Sequence, residues 1–130
     1  MRWKCPTCGY DNPDGTVHCA GGCGTARAPA RLTLTCQRTG LTLRMHTHTQ
    51  VGRALLRRLD LEEAVYASEP QFELQPDWQR GQWLLKHCPT AHNPTFHNGQ
   101  PAPAQPIPVQ NGDTLTLGPK FLLLTITLED

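Results

Sequence analysis

The chain has 130 residues, enough for one sizeable hydrophobic core, or for a core of about a hundred residues plus a small appendage that needs outside help to fold. Twelve Lys and Arg against eleven Asp and Glu leave a net charge of +1, which excludes the global basic field of a protein drawn to nucleic acid or to a membrane surface, so electrostatic recognition must be local. No apolar run approaches the length of a membrane span, and Met1 to Cys5 lack the apolar core of a secretory signal. The expectation is therefore a soluble, cytoplasmic chain with no membrane partner.

Residues 1–27 are rich in Cys, Gly, Asp and Pro and almost devoid of apolar side chains, so a metal must replace the core they cannot build. Residues 28–31 form a short hinge, and from residue 32 the texture changes. Leu32 to Cys36 and Leu41 to Met45 alternate apolar with polar, the pattern of half-buried strands, with Arg38, Thr39 and Gly40 turning between them. Ala54 to Leu59 reads equally as a turn of helix or a loop packed by its leucines. Ala64 to Ala67, Phe72 to Leu74 and Gln82 to Cys88 are the next predicted strands. Trp83 is expected in the core and Trp78 at its rim. The stretch from Pro89 to Pro108 carries six of the twelve prolines and is expected to be loop or sheet edge. Thr114 to Leu117 follows a Gly112-Asp113 turn, and Phe121 to Leu128 is the strongest strand of the chain.

Cys5-x-x-Cys8 and Cys19-x-x-x-Cys23 are two cysteine pairs ten residues apart, each followed by glycine (Gly9, Gly24). A tight turn lets both sulfurs of a pair reach one ion, and the glycine frees the backbone to bend around it. Paired spacing in a chain without secretory features favours structural zinc on Cys5, Cys8, Cys19 and Cys23 over disulfides. Four protein ligands leave no open coordination position for catalysis. Trp3-x-Cys5-x-x-Cys8-x-x-x-Asn12 with the second pair beyond it resembles the Ran-binding-protein type of zinc finger, or a short zinc ribbon. The resemblance implies a module that docks a second protein. Other members bind single-stranded RNA or ubiquitin, but the segment Pro13 to Val17 carries no ring for stacking a base, and nucleic acid is not the expected partner.

Gly52-Arg53, Ser68, Asn93-Pro94-Thr95-Phe96-His97-Asn98-Gly99 and Asn111-Gly112-Asp113-Thr114-Leu115-Thr116-Leu117-Gly118 follow one another in that order. Together they resemble the forkhead-associated (FHA) domain over residues 32–130, about three quarters of the chain. The resemblance implies an all-β sandwich of about eleven short strands that binds a phosphothreonine peptide, on a Ser/Thr kinase or one of its substrates. By the same resemblance Arg53 and Ser68 hold the phosphoryl oxygens, Asn93 holds the peptide main chain, and His92 stands where the family has Ser or Thr and adds a donor. A phosphate dianion wants such a set: a planar guanidinium fork plus hydroxyl and amide donors on loops held by a rigid sheet. Asn98-Gly99 and Asn111 to Asp113 read as turn formers.

Besides His92, the sequence departs from the family at three positions. Gln71 stands where a histidine braces the loops, and its amide can still donate and accept. Pro94 removes a backbone donor beside Asn93. Glu69 places a carboxylate beside the phosphate site, unfavourable by ~1 kcal/mol unless it is turned away. Two other readings stay open: an FHA scaffold that binds an unphosphorylated protein, and a nucleic-acid adaptor acting through Trp3 and Arg27 of the zinc module. Cys36 and Cys88 lie on predicted strands as small buried hydrophobes, and His46 and His48 read as a solvated strand end. With no activated nucleophile, open metal position or paired acid and base, the residues do not assemble an enzyme site.

Overall fold

The computed structural model describes residues 2–5, 7–13, 16, 18–24, 31–77, 80–118 and 120–129. Arg27 and Trp78, both singled out in the sequence, lie outside the described residues, as do residues 28–30 of the expected hinge.

The N-terminal module is one antiparallel hairpin, β1 (Arg2–Lys4) and β2 (Asp11–Pro13), with Trp3 opposite Asn12. Its only buried apolar cluster among the described residues is Trp3, Cys5 and Cys19. That is far too little to offset the entropy of ordering the segment, as the composition requires.

The remainder is a two-sheet antiparallel sandwich. Its strands are β3 (Arg31–Cys36), β4 (Thr42–Met45), β5 (Thr49–Val51), β6 (Phe72–Asp77), β7 (Gln82–His87), β8 (Thr95–His97), β9 (Gln100–Pro101), β10 (Ile107–Val109), β11 (Thr114–Leu117) and β12 (Phe121–Glu129). One sheet has the order β10-β7-β6-β5 and the other β4-β3-β12-β11-β8-β9. Ten strands are thus described where about eleven were expected. Arg31, placed in the hinge by composition, is the first residue of β3 and pairs with Glu129.

Period-two alternation builds the core. Leu32, Leu34 and Cys36 of β3, Leu122, Leu124 and Ile126 of β12, and Leu115 and Leu117 of β11 point inward from the larger sheet; Phe72, Leu74, Trp83 and Leu85 meet them from the smaller one. Each such side chain contributes roughly 1.5–3 kcal/mol when fully buried. Both proline-bearing strands of the 89–108 stretch, β9 and β10, are sheet edges, where a missing N–H disturbs no ladder.

Two segments differ from the sequence reading. Ala64 to Ala67, expected as a strand, is a turn of 3-10 helix, Glu63–Tyr66. The Asp60 carboxylate accepts the N–H groups of Glu62 and Glu63, both at 3.1 Å, and the Asp60 carbonyl accepts Ala64 N–H at 3.0 Å, so local capping prevails over the β preference of Val65 and Tyr66. The second segment is β5, not foreseen as a separate strand, which crosses the chain from the larger sheet to the smaller one. Of the two readings of Ala54 to Leu59, the helical one holds: α1 spans Arg53–Leu56. No helix among the described residues is long and apolar enough to cross a membrane.

Candidate functional site

The four cysteine sulfurs of the N-terminal module converge. Cys5 Sγ lies 3.5 Å from Cys23 Sγ, Cys8 Sγ lies 3.5 Å from Cys19 Sγ and 3.6 Å from Cys23 Sγ, and all four lie within 4.8 Å of one another. Four thiolates at tetrahedral Zn–S distances of about 2.3 Å would stand roughly 3.8 Å apart, so the donor set and its size fit one tetrahedral metal ion. The hairpin positions the first pair: Cys5 N–H bonds Tyr10 O and Gly9 N–H bonds Cys5 O, both at 2.9 Å, with Gly9 at φ +76°, a conformation glycine adopts without strain. Asn12, fully buried, accepts Ala20 N–H at 2.8 Å on its side-chain oxygen and so ties the second loop to the first. Tyr10 packs so closely on Gly21 that any Cβ there would strike its ring. Trp3 is 8% exposed and its indole N–H donates to Thr16 O at 2.8 Å. Its ring is committed to the module and not offered for base stacking.

In the sandwich, Arg53, Ser68, His92 and Asn93 come together on three loops. Arg53 starts α1 immediately after β5; its backbone N–H donates to Ser68 O at 3.2 Å and its Nε to Ala67 O at 3.0 Å. Neither Nη group has a partner among the described residues, so a guanidinium edge remains available on an exposed side chain. Ser68 Oγ accepts His92 N–H at 2.9 Å. Asn93 Nδ2 donates to Tyr66 O at 2.7 Å, which anchors this side chain to the 3-10 turn. The His92 side chain stands exposed.

Gln71 binds these loops into one body. Fully buried, it accepts Ser68 N–H at 2.9 Å and donates to Asn93 O at 2.7 Å and Thr95 Oγ1 at 3.1 Å. The amide thus performs the bracing expected of the family's histidine. Behind it, Thr95 Oγ1 lies 2.9 Å from His87 Nδ1. Burial lowers the His87 pKa and so favours the neutral ring at this contact. Thr95 and His87 did not stand out in the sequence. Thr95 is a lone buried hydroxyl within the proline-rich stretch, and only the pairing of β8 with β11 places it under the loops.

The Glu69 carboxylate lies over Gly52, where a Cβ would meet it and make the end of the Glu69 side chain shift, and Oε2 accepts Ala54 N–H at 2.8 Å. With φ near −137°, Gly52 is not needed for its backbone conformation. Pro94 leaves its carbonyl to accept Gly118 N–H at 2.8 Å, so this departure joins the 89–94 loop to the end of β11. The asparagine-glycine segments are turns, as expected: Asn98 (φ 50°) accepts Thr114 N–H at 2.8 Å, and Asn111 accepts Leu128 N–H at 2.8 Å.

No family model matches the sequence, and no curated protein matches it either. Among solved structures, the chain is similar to the FHA domain of an Arabidopsis thaliana hypothetical protein, with a TM-score of 0.63 at 18% identity over 79% of this chain and 89% of that one. It is also similar to a domain described under phosphothreonine-dependent FHA domain interactions, with a TM-score of 0.60 at 22% identity over 77% and 98% of the two chains. A third is an engineered FHA domain with a Myc-pTBD peptide, TM-score 0.62 at 18% identity over 78% and 93%. The sandwich therefore has the FHA fold.

Proposed function

We propose that this protein is a phosphothreonine-dependent binding module in which the FHA-fold sandwich captures a phosphorylated segment of a kinase or kinase substrate, while the N-terminal module, with zinc held by Cys5, Cys8, Cys19 and Cys23, docks a second protein. The observation that carries the proposal is the convergence of Arg53, Ser68, His92 and Asn93 on loops braced by Gln71, with the Arg53 Nη groups without a partner among the described residues. Arg53 and Ser68 take the phosphoryl oxygens, His92 adds a ring donor, and Asn93 orients the peptide main chain; a charge-assisted fork of this kind is roughly twice as strong as a neutral hydrogen bond. Similarity to domains whose descriptions name phosphothreonine-dependent interactions and a bound peptide lends support. Bound zinc supplies the rigidity that the small cluster of Trp3, Cys5 and Cys19 cannot, and a cytoplasmic setting suits four reduced cysteines.

The test is amide chemical-shift mapping with a threonine-phosphorylated peptide library. Perturbations centred on Arg53, Ser68, His92 and Asn93, absent with unphosphorylated peptides, are the expected outcome. Equal responses to both peptide sets would leave the sandwich a scaffold for an unphosphorylated partner.

A further inference from the structure

A cleft of about 400 Å3 lies on the other side of α1, between that helix, the end of β4 and the β4–β5 loop. Its apolar lining is Leu43, Met45 and Leu55, and its cationic groups are Arg44 and Arg58, with His46 beside them. Among the described residues no carboxylate lines it and neither arginine takes part in an ion pair. In a chain of net charge +1, two guanidinium groups around one concavity, unpaired among the described residues, form a local positive field. Leu55 of α1 and Arg58 of the turn that follows it both line the cleft, whereas Arg53 lies two residues before Leu55, about 200° around the helix axis. Arg53 accordingly reaches Ala67 O while Arg58 lines the cleft. One helical turn separates two anion-seeking surfaces.

We propose that this cleft is a second phosphate site, taking a phosphomonoester dianion on a short apolar stem: the methylene or methyl goes to the leucine and methionine floor and the phosphoryl oxygens to the Arg44 and Arg58 forks. The source is a second phosphorylated side chain of the same protein ligand, and to that extent the assignment rests on the proposed function. A helix is about 10–12 Å across, a span that three or four extended residues cover at about 3.3–3.6 Å each. A ligand bearing phosphates at that spacing engages both sites, and the second contact becomes intramolecular.

Phenyl phosphate is the probe for the cleft itself. Titrated into the full chain, it is expected to shift amides of residues 43–49 and 55–58 saturably, equally in wild type and Arg53→Ala, and to bind at least tenfold more weakly in the double variant Arg44→Gln/Arg58→Gln. Both arginines are exposed, and an unchanged melting temperature verifies that the double variant is folded. Peptides with two phosphothreonines three or four residues apart are then expected to bind wild type at least tenfold more tightly than singly phosphorylated ones, a gain lost in the double variant. No saturable shift in the cleft, or equal affinity in the double variant, overturns the site. Phenyl phosphate binding without a gain for the doubly phosphorylated peptide overturns the protein source in favour of a free phosphate compound. Failure of the primary site alone shows differently: no peptide binding depends on Arg53, while the phenyl phosphate response persists.

Discussion

Gln71 decides whether the phosphate-facing loops are one rigid surface or three independent ones. Its three hydrogen bonds link Ser68, Asn93 and Thr95, and replacing it with the apolar leucine takes their shared partner from the part-buried Ser68 N–H and Asn93 carbonyl. Gln71→Leu is expected to lower unfolding free energy by about 2–4 kcal/mol, measured as a reduced urea midpoint at unchanged slope. Glu69 acts in the opposite sense. Its carboxylate already neutralises the Ala54 N–H beside Arg53, and Glu69→Gln keeps that hydrogen bond while removing the charge. Phosphopeptide affinity by calorimetry is expected to rise about fivefold, the equivalent of ~1 kcal/mol. At this scale the sequence was informative wherever chemistry is local. Arg53, Ser68 and Asn93 were named from ordered motifs and do share one surface. Thr95 was read only as part of the Asn93 to Gly99 motif, and the layer it forms with His87 beneath these residues was not legible, because that layer exists only through strand pairing.

The larger sheet contains an irregularity with a physical origin. Against β11, Leu115 pairs with Leu124 and Leu117 with Phe121, so β12 spends one residue more than its partner. The excess falls on Leu122, at φ 51° yet fully buried, a left-handed conformation costing about 1–2 kcal/mol for a residue with a Cβ, which burial of the leucine side chain offsets. Leu123, between the buried Leu122 and Leu124, faces outward and is exposed, so the alternation of β12 continues through the irregularity. The loop between α1 and β6 is held by a charged hub: Arg38, in the β3–β4 turn, donates to both Asp60 oxygens at 2.6 and 2.5 Å. The hydrogen bonds from Arg38 hold the Asp60 carboxyl down at about 2, outweighing the effect of burial, with the N–H groups of Glu63 and Glu62 assisting. A carboxyl whose folded pKa is depressed stabilises the fold above its unfolded value near 3.9 and loses that contribution as pH falls through the folded one. Asp60→Asn is therefore expected to be less stable than wild type at pH 7, with the two urea midpoints converging as pH is lowered from about 5 to about 2. The same aspartate shows why Ala64 to Ala67 misled: a short apolar run reads as a strand until the capping carboxylate four residues upstream is weighed. β5 and β8 were missed for a simpler reason, since three residues offer too little alternation to detect.

The molecule combines two ways of being stable. The sandwich buries a continuous core of leucines with Phe72 and Trp83, and its class was legible because period-two patterning, turn residues and edge prolines all agree. Among the described residues the N-terminal module buries only Trp3, Cys5 and Cys19 as apolar side chains, so the proposed zinc on the four sulfurs is expected to carry its fold. Chelation is expected to unfold residues 2–24 with loss of their dispersed amide resonances while those of the core strands persist, and Cys8→Ser to do the same without chelator. Loss of both sets together would mean that the sandwich needs the metal as well.

The most direct measurement is calorimetric titration of one threonine-phosphorylated peptide, taken from the library screen, into wild type and Arg53→Ala, with its unphosphorylated twin as control. Binding to wild type that requires the phosphate and falls roughly 10–100-fold in Arg53→Ala, the loss of about 1.5–3 kcal/mol carried by charged hydrogen bonds, is the expected result. Binding that ignores the phosphate, or an affinity unchanged in Arg53→Ala, would contradict the assignment of these loops as a phosphate reader.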